Sequence, residues 1–281
     1  MIVDSHQHFI QFNTREYPWI GEHMTLLRQD LMPDDLAAAA RPVGVDAAVA
    51  VEARQTVEET RWLIDLARHN ALVAGVVGWV DLRDPRVEEV LDELAPEPLL
   101  VGVCHVIHDE PGNEFMLRSD FCRGIGTLKR FGLTYDILIF SRHLPQTLEF
   151  VRRFPDQPFV IDHIAKPRIR DGEFGEWRDR LKPVAACENV FCKVSGMVTE
   201  ARPRLWKPDD FKRYVDVVLD LFGPNRVMFG SDWPVCTLEA PYSEVFEIVD
   251  DATAELSGAE REMVLGGTAA TFYGIETRQI D

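Results

Sequence analysis

Short apolar runs rich in β-branched residues recur along this chain, and segments with helical periodicity separate them. With the opening segment there are eight such runs, the others being 46–52, 73–80, 99–106, 133–139, 158–163, 189–195 and 226–232. The runs are apolar almost throughout, which is typical of strands that are buried on both faces. Strands of this kind that alternate with helices form parallel β-α units.

Helical spacing of apolar residues marks the intervening segments 57–70, 85–94, 144–154, 209–222 and 242–256. Eight β-α units favour a closed (β/α)8 barrel, the TIM barrel of the α/β class. An open doubly wound sheet is the alternative, but it should carry a glycine-rich phosphate turn after an early strand, and none is present. We therefore expect one barrel domain over 1–281, with 11–33 folded as a loop over the barrel mouth.

The charge balance narrows the choice of partners. Thirty basic residues against 47 acidic ones give a net charge of −17, which repels nucleic acid and anionic membranes. A small molecule is the expected partner, and assembly into a homo-oligomer is left open. Without an apolar span of about 20 residues or a signal-like N-terminus, the chain is expected to be cytoplasmic. Its five cysteines include no CxxC pair and are expected to be reduced thiols.

Two histidines, His6 and His8, stand at the end of the first apolar run with one residue between them. Side chains two apart on a strand share a face, so the two imidazoles are expected to lie close together. Such a pair can chelate a divalent metal or surround a substrate oxygen. Two polar residues on an exposed edge strand are the plainer alternative.

Polar or aromatic residues stand at or near the ends of most of the other strands. They are Glu52 after strand two, Trp79 after strand three, His105 on strand four, His163 and Lys166 after strand six, Lys193 on strand seven, and Asp232 and Trp233 after strand eight. Each alone could be a packing or capping residue. Because the active site of such a barrel lies at the carboxyl ends of its strands, their joint placement predicts a catalytic site.

Four motifs resemble those of the amidohydrolase superfamily: DSHQHF (4–9), VIDHIAKP (160–167), CKVSGMVTEA (192–201) and MFGSDWPV (228–235). More narrowly, they resemble its lactonase branch, which hydrolyses lactones of sugars and dicarboxylates. The segments at 17–19 and 51–60 are also similar to that branch. The resemblance extends over essentially the whole chain.

The resemblance implies roles for particular residues. His6, His8 and Asp232 would bind a metal or the substrate, Asp232 would be the general base, and His163 would assist electrostatically or return a proton. The chain lacks a lysine at the end of strand four and a histidine after strand five, so we expect at most one divalent metal, zinc being the expected ion. Activity without metal is left open. The residues at 52 and 104, Glu and Cys, differ from the glutamine and arginine that relatives often carry.

Lactone hydrolysis needs a deprotonated water, a polarised carbonyl and a protonated leaving oxygen. We expect a neutral sugar aldonolactone as substrate. Its predicted contacts are an aromatic platform of Trp19, Trp79 and Trp233, and hydroxyl ligands Glu52, His105, Lys166 and Lys193. The alternatives are a dicarboxylate or sulfonated lactone, metal-dependent decarboxylation at the same site and, from another class, an inactive barrel that binds a sugar acid.

Overall fold

The computed structural model describes residues 1–275, and these form the expected barrel. Eight parallel strands pair with one another in chain order. They are Val3–Gln7 (β1), Ala47–Val51 (β2), Val73–Gly78 (β3), Leu100–Val106 (β4), Thr134–Leu138 (β5), Phe159–Ile161 (β6), Val190–Val194 (β7) and Val227–Phe229 (β8). The ring closes where the amide of Asp232 donates to the carbonyl of His6 (2.8 Å) and the amide of His8 donates to that of Trp233 (2.7 Å).

Helices follow most of the strands and cover the outside of the barrel. Those of the described residues are Pro33–Ala40 (α1), Val57–His69 (α2), Val87–Leu94 (α3), Ser119–Leu128 (α4), Leu144–Arg153 (α5), Gly175–Ala185 (α6), Met197–Glu200 (α7), Pro208–Phe222 (α8), Tyr242–Ala252 (α9), Gly258–Glu262 (α10) and Thr268–Tyr273 (α11). Among them none is both long and apolar enough to cross a membrane.

Three of the larger helices, α1, α4 and α6, are absent from the sequence prediction. Helix α4 contains Gly124 and Gly126, and α6 contains Pro183, residues that weaken a helical pattern. Gly124 is nonetheless required, because a Cβ there would lie 2.1 Å from the carbonyl oxygen of Leu82. Close packing against the barrel therefore outweighs the low helix propensity.

The described residues form three apolar clusters, two of which pack against the strands of the barrel. The larger one lies between the strands and the outer helices, where rings such as those of Tyr135, Phe150 and Phe159 pack together. The smaller one includes Val160 and Met228 from the strands and side chains of α11. Packing on both faces of the strands explains why their sequences are apolar almost throughout.

The loop at 11–33 is fixed to the mouth by a small apolar cluster of its own. Ile10, Tyr17, Ile20 and Leu27 are buried in it, and residues that follow β2 and β8 pack against it. The indole nitrogen of Trp19 donates to the carbonyl of Ala53, 2.9 Å away, just after β2. The segment thus lies at the end of the barrel where the predicted site residues gather.

Candidate active site

Three imidazoles surround one carboxylate at the carboxyl ends of the strands. The Oδ1 atom of Asp232 lies 3.4 Å from Nε2 of His8, 3.9 Å from Nε2 of His163 and 4.0 Å from Nε2 of His6. The ring of His6 is 4.9 Å from that of His8 and 4.4 Å from that of His163, measured between centroids. The structure thus brings together the four residues that the sequence singles out for catalysis.

A β-bulge in β1 determines which side chains point into the barrel. Asp4 pairs with Ala48 but Gln7 pairs with Ala50, so β1 has one residue more than β2 over this stretch. His6 therefore reaches the centre, although simple alternation would put it on the same face as Asp4. The Asp4 carboxylate instead accepts hydrogen bonds from Ser231, next to Asp232, and from the hydroxyl of Tyr242. Asp4 thereby anchors the segment that carries Asp232.

His8 is oriented by the end of β2. Its Nδ1 lies 3.0 Å from the carbonyl oxygen of Val51 and 3.1 Å from that of Glu52. A carbonyl can only accept, so Nδ1 carries a proton, and in the neutral ring Nε2 faces Asp232 with its lone pair. Burial alone would lower the pKa of His8, but the hydrogen bond and charge of Asp232 raise it above its ordinary value.

His163 lies on a left-handed turn that follows β6. Four successive residues, His163 to Lys166, have φ between 45° and 63°. Nδ1 of His163 is 2.8 Å from the hydroxyl of Ser195 after β7. Burial lowers the pKa of His163 well below its ordinary value, so the ring is neutral at neutral pH. Ser195 stands next to Gly196 in a motif quoted above, but no role was predicted for it.

Asp232 is also held in the left-handed region, with φ of 58°. It is 4% exposed. Burial alone would raise the pKa of Asp232, but His163 and His8 hold it below its ordinary value. The carboxylate is therefore ionised at neutral pH. An unusual backbone conformation at an ionised, buried carboxylate is typical of functional sites.

Lys193 lies beneath His6 and not at the mouth. Its ammonium is 2.5 Å from Oδ2 of Asp136, 3.0 Å from Oδ1 of Asp162 and 3.1 Å from Nδ1 of His6, and its side chain is wholly buried. Burial alone would lower the pKa of Lys193, but the two carboxylates raise it above its ordinary value. The prediction that Lys193 binds substrate hydroxyls is therefore corrected, because its protons are already engaged within the protein.

Asp136 is a residue that sequence reasoning missed. It lies on β5, and the hydroxyl of Tyr273 in α11 also donates to it at 2.8 Å. Burial raises the pKa of Asp136 to about 7, although the charge of Lys193 opposes this. A single acidic residue inside the apolar run 133–139 was the available signal, since a buried carboxylate needs a partner.

His105 needs a second correction. Its ring stacks on Phe115 and lies against Phe121 of α4, so it faces the helices and not the interior of the barrel. Trp79 donates from its indole nitrogen to Nδ1 of His105 (3.1 Å), and Nε2 lies 2.8 Å from a carboxylate oxygen of Glu110. His105 thus orients Trp79 and is not placed to bind substrate hydroxyls.

The other predicted contact residues differ in exposure. Glu52 is 4% exposed, and neither of its carboxyl oxygens has a hydrogen-bond partner among the described residues. Burial, followed by the charges of Glu59 and Asp162, raises the pKa of Glu52 well above its ordinary value. Trp19 is 38% exposed on the mouth loop, whereas Trp233 is nearly buried and its ring is steeply inclined to that of Phe9.

A cavity of about 480 Å³ opens beside the centre, over the ends of β5 to β7. Lys166, partly buried, lines it together with Phe140, Ser141, Arg142, Arg170 and Glu200. Two further arginines at its wall, Arg168 and Arg180, form ion pairs with Glu173 and Glu176. The cavity therefore carries charges of both signs, and the charge of Lys166 helps to lower the pKa of Asp232.

The residues at the centre fit a divalent metal. His6, His8 and Asp232 each offer one ligand atom, and these atoms lie within 4.8 Å of one another. Nε2 of His6 is buried without a hydrogen-bond partner in residues 1–275. Two imidazole nitrogens and a carboxylate form a donor set that suits zinc, with positions left for water and substrate.

The chain resembles known proteins over almost its whole length. The sequence matches the family model described as Amidohydrolase over residues 3–275. A protein named L-fucono-1,5-lactonase from Burkholderia multivorans is 41% identical, with 97% of this chain and 96% of that protein covered. A second protein of that name, from Burkholderia ambifaria, is 35% identical, with 98% and 96% covered. The crystal structure of an amidohydrolase from Burkholderia multivorans with bound zinc superposes with a TM-score of 0.94 at 40% identity, covering 98% of this chain and all of that one.

Proposed function

The chain belongs to the amidohydrolase family, and on that premise we propose that it hydrolyses a sugar lactone to the corresponding hydroxy acid. The observation that carries the proposal is the ionised Asp232 at the centre of three imidazoles. This arrangement supplies a base for water and nitrogen atoms that can face a carbonyl oxygen. The two relatives named L-fucono-1,5-lactonase, aligned over nearly their full lengths, support the same reaction.

In the proposed reaction, Asp232 takes a proton from water and the hydroxide attacks the lactone carbonyl carbon. The negative charge that develops on the carbonyl oxygen is stabilised by an imidazole N–H that faces the centre. The ring carbon–oxygen bond then breaks, and the proton taken up by Asp232 passes to the ring oxygen. We assign this return to His163, because its neutral ring lies beside Asp232 and can pass a proton on.

His6, His8 and Asp232 would hold at most one divalent ion, with zinc as the expected one. A bound ion would polarise the carbonyl and lower the pKa of its water. Beneath His6, the carboxylates of Asp136 and Asp162 already bind the ammonium of Lys193. This occupation supports a single metal site. Metal analysis of protein purified from zinc-supplemented medium should give about one equivalent or less. Two tightly held equivalents, both needed for activity, would contradict this.

We propose a neutral, hydroxyl-rich substrate. Burial raises the pKa of Glu52 and so favours its protonated form, which can both donate to and accept from a hydroxyl. Trp19, Trp79 and Trp233 would supply the apolar platform, and Lys166 would contact a hydroxyl at the cavity. The ionised carboxylate of Asp232 disfavours a second carboxylate at the centre, which favours release of the product.

A panel of neutral and anionic lactones, assayed for acid release with and without chelator, tests the proposal. We expect kcat/KM to be at least tenfold higher for neutral aldonolactones, equivalent to about 1.4 kcal/mol in transition-state binding. A tenfold preference for dicarboxylate or sulfonated lactones would show that the substrate is anionic and not neutral. If the protein releases carbon dioxide from aromatic acids, it is a decarboxylase and not a lactonase. If it binds sugar acids without any turnover, it is an inactive binding protein.

Three further properties stay predictions. Residues 1–275 contribute all eight strands to one sheet, which supports a single barrel domain over 1–281. The cytoplasmic location and assembly into a homo-oligomer also remain to be tested, by cell fractionation and by light scattering of the purified protein.

A further inference from the structure

A cation site lies beneath His6, and the chain fills it with its own amine. Nδ1 of His6 and carboxylate oxygens of Asp136 and Asp162 lie within 4.8 Å of one another, as metal ligands would. The ammonium of Lys193 contacts all three, at 3.1, 2.5 and 3.0 Å respectively. All four side chains are wholly buried. The remaining oxygens, Oδ1 of Asp136 and Oδ2 of Asp162, have no hydrogen-bond partner among the described residues.

The protons of this group can be counted. An ammonium has three protons and no lone pair, and the three contacts of Lys193 are three acceptors if Nδ1 of His6 is unprotonated. Nδ1 also lies 3.2 Å from Oδ1 of Asp162, to which it could donate if it were protonated. In that tautomer Nδ1 could no longer accept from the ammonium 3.1 Å away, so the third proton of Lys193 would be buried without an acceptor. A protonated Nε2 also has no hydrogen-bond partner among the described residues, but it belongs to a neutral ring and faces the carboxylate of Asp232 at 4.0 Å. An unpaired proton on a charged group costs more than one on a neutral group, so the count favours an unprotonated Nδ1.

We propose that Lys193 is a positioning residue that donates to Nδ1 of His6, keeps the proton of the ring on Nε2 facing Asp232, and thereby weakens metal binding at the centre. A protonated Nε2 has no lone pair for a metal. Zinc can use this nitrogen only when the proton moves to Nδ1, against Lys193. His8 has the opposite arrangement, since two carbonyls hold its proton on Nδ1.

Substitution of Lys193 tests the effect on metal binding. In Lys193→Met, the proton of the His6 ring can move to Nδ1, which then donates to Asp162. Nε2 is left with a lone pair that can bind a metal. We expect zinc to bind this variant at least tenfold more tightly than the wild type in a competition titration with a coloured chelator. Lys166→Met is the matched control, because it removes the same charge from the same centre without a contact to Nδ1. Equal zinc affinities for the two variants would overturn the proposal.

The ring nitrogens of His6 can be observed directly by ¹⁵N nuclear magnetic resonance of chelator-treated protein, with His6→Gln to assign the signals. We expect the wild type to show a protonated Nε2 and an unprotonated Nδ1, and Lys193→Met to show the reverse. A wild-type spectrum with the proton on Nδ1 would overturn the proposal. The wild-type measurement decides the question even if the substituted protein does not fold.

Only the consequence for turnover rests on the proposed function. In chelated enzyme we expect Lys193→Met to lower kcat at least tenfold while KM changes less, because the variant loses a donor that faces the reacting oxygen. If no lactone is hydrolysed by any variant but the spectra are as expected, the proposed function fails and the role of Lys193 stands. If the wild type hydrolyses lactones but its His6 proton lies on Nδ1, the proposed role of Lys193 fails and the proposed function stands.

Discussion

Asp232 is the residue on which the proposed chemistry depends most. Its backbone is left-handed, its amide is bound to the carbonyl of His6, and Asp4 fixes its neighbour Ser231. These contacts hold Oδ1 at the point that all three imidazoles face. Because the pKa of Asp232 lies below its ordinary value, the base is available through the neutral and mildly acidic range.

Asp232→Asn keeps the shape of the side chain and removes the base. We expect kcat to fall by about 10²- to 10⁴-fold, the usual contribution of a general base. Asp109→Asn, in an exposed carboxylate that follows β4, is the control and should keep full activity. Near-wild-type turnover of a folded Asp232→Asn variant would remove Asp232 from the mechanism.

At the scale of elements, the turn after β6 and the start of α7 form one unit around His163. The left-handed turn aims the His163 ring at the centre, and Gly196 lies directly against that ring. A Cβ on Gly196 would be 2.5 Å from Nδ1 of His163, closer than packed atoms come. Gly196 also has φ of 58°, which a residue with a side chain adopts only at a cost.

Gly196→Ala should therefore displace His163. We expect kcat to fall at least tenfold and the free energy of unfolding to fall by about 1–2 kcal/mol from the left-handed conformation. Gly172→Ala is the matched control, since Gly172 has φ of 74° with nothing within 4 Å of a new Cβ. It should lose similar stability and keep its turnover. Similar turnover of the two variants would show that His163 does not need its present position.

At the scale of the whole molecule, the chain buries acidic groups despite its net charge of −17. Glu59 on α2 is wholly buried and accepts from the backbone amides of Ala53 and Arg54, which fixes the segment after β2. Burial raises the pKa of Glu59 to about 7. The unfolded chain releases this proton near pH 4.5, so the folded state binds more protons up to about pH 7.

Stability should therefore fall as the pH rises through the folded pKa of Glu59. Between pH 6.5 and about pH 8 this group should cost about 1 kcal/mol of unfolding free energy. Histidines of the unfolded chain also titrate in the lower part of this range, so the contribution of Glu59 is the difference between the wild type and a Glu59 variant. Glu59→Gln should reduce the decline between these pH values by that amount, and Glu58→Gln, its exposed neighbour on α2, should leave it unchanged. Urea unfolding at the two pH values measures it. A decline that is the same in wild type and Glu59→Gln would contradict the assignment.

Much of the barrel and of its site was present in the sequence. The number and order of the strands could be predicted because each strand is a local apolar run, and burial on both faces makes such runs easy to recognise. His6, His8, His163 and Asp232 could be predicted because the carboxyl ends of parallel strands meet at one end of a barrel. The positions of these residues along their own strands are local information.

The directions and partners of the side chains depended on the tertiary structure. The bulge in β1 arises from its pairing with β2, so strand alternation alone could not show that Asp4 points away from His6. The ion pair between Lys193 and Asp136 joins residues 57 positions apart, which approach only when β5 and β7 enter the same barrel. His105 turns toward α4 for a similar reason, because the register of its strand decides its face. Contacts between distant segments form only once the chain has closed, and these contacts decide which polar side chains meet a substrate.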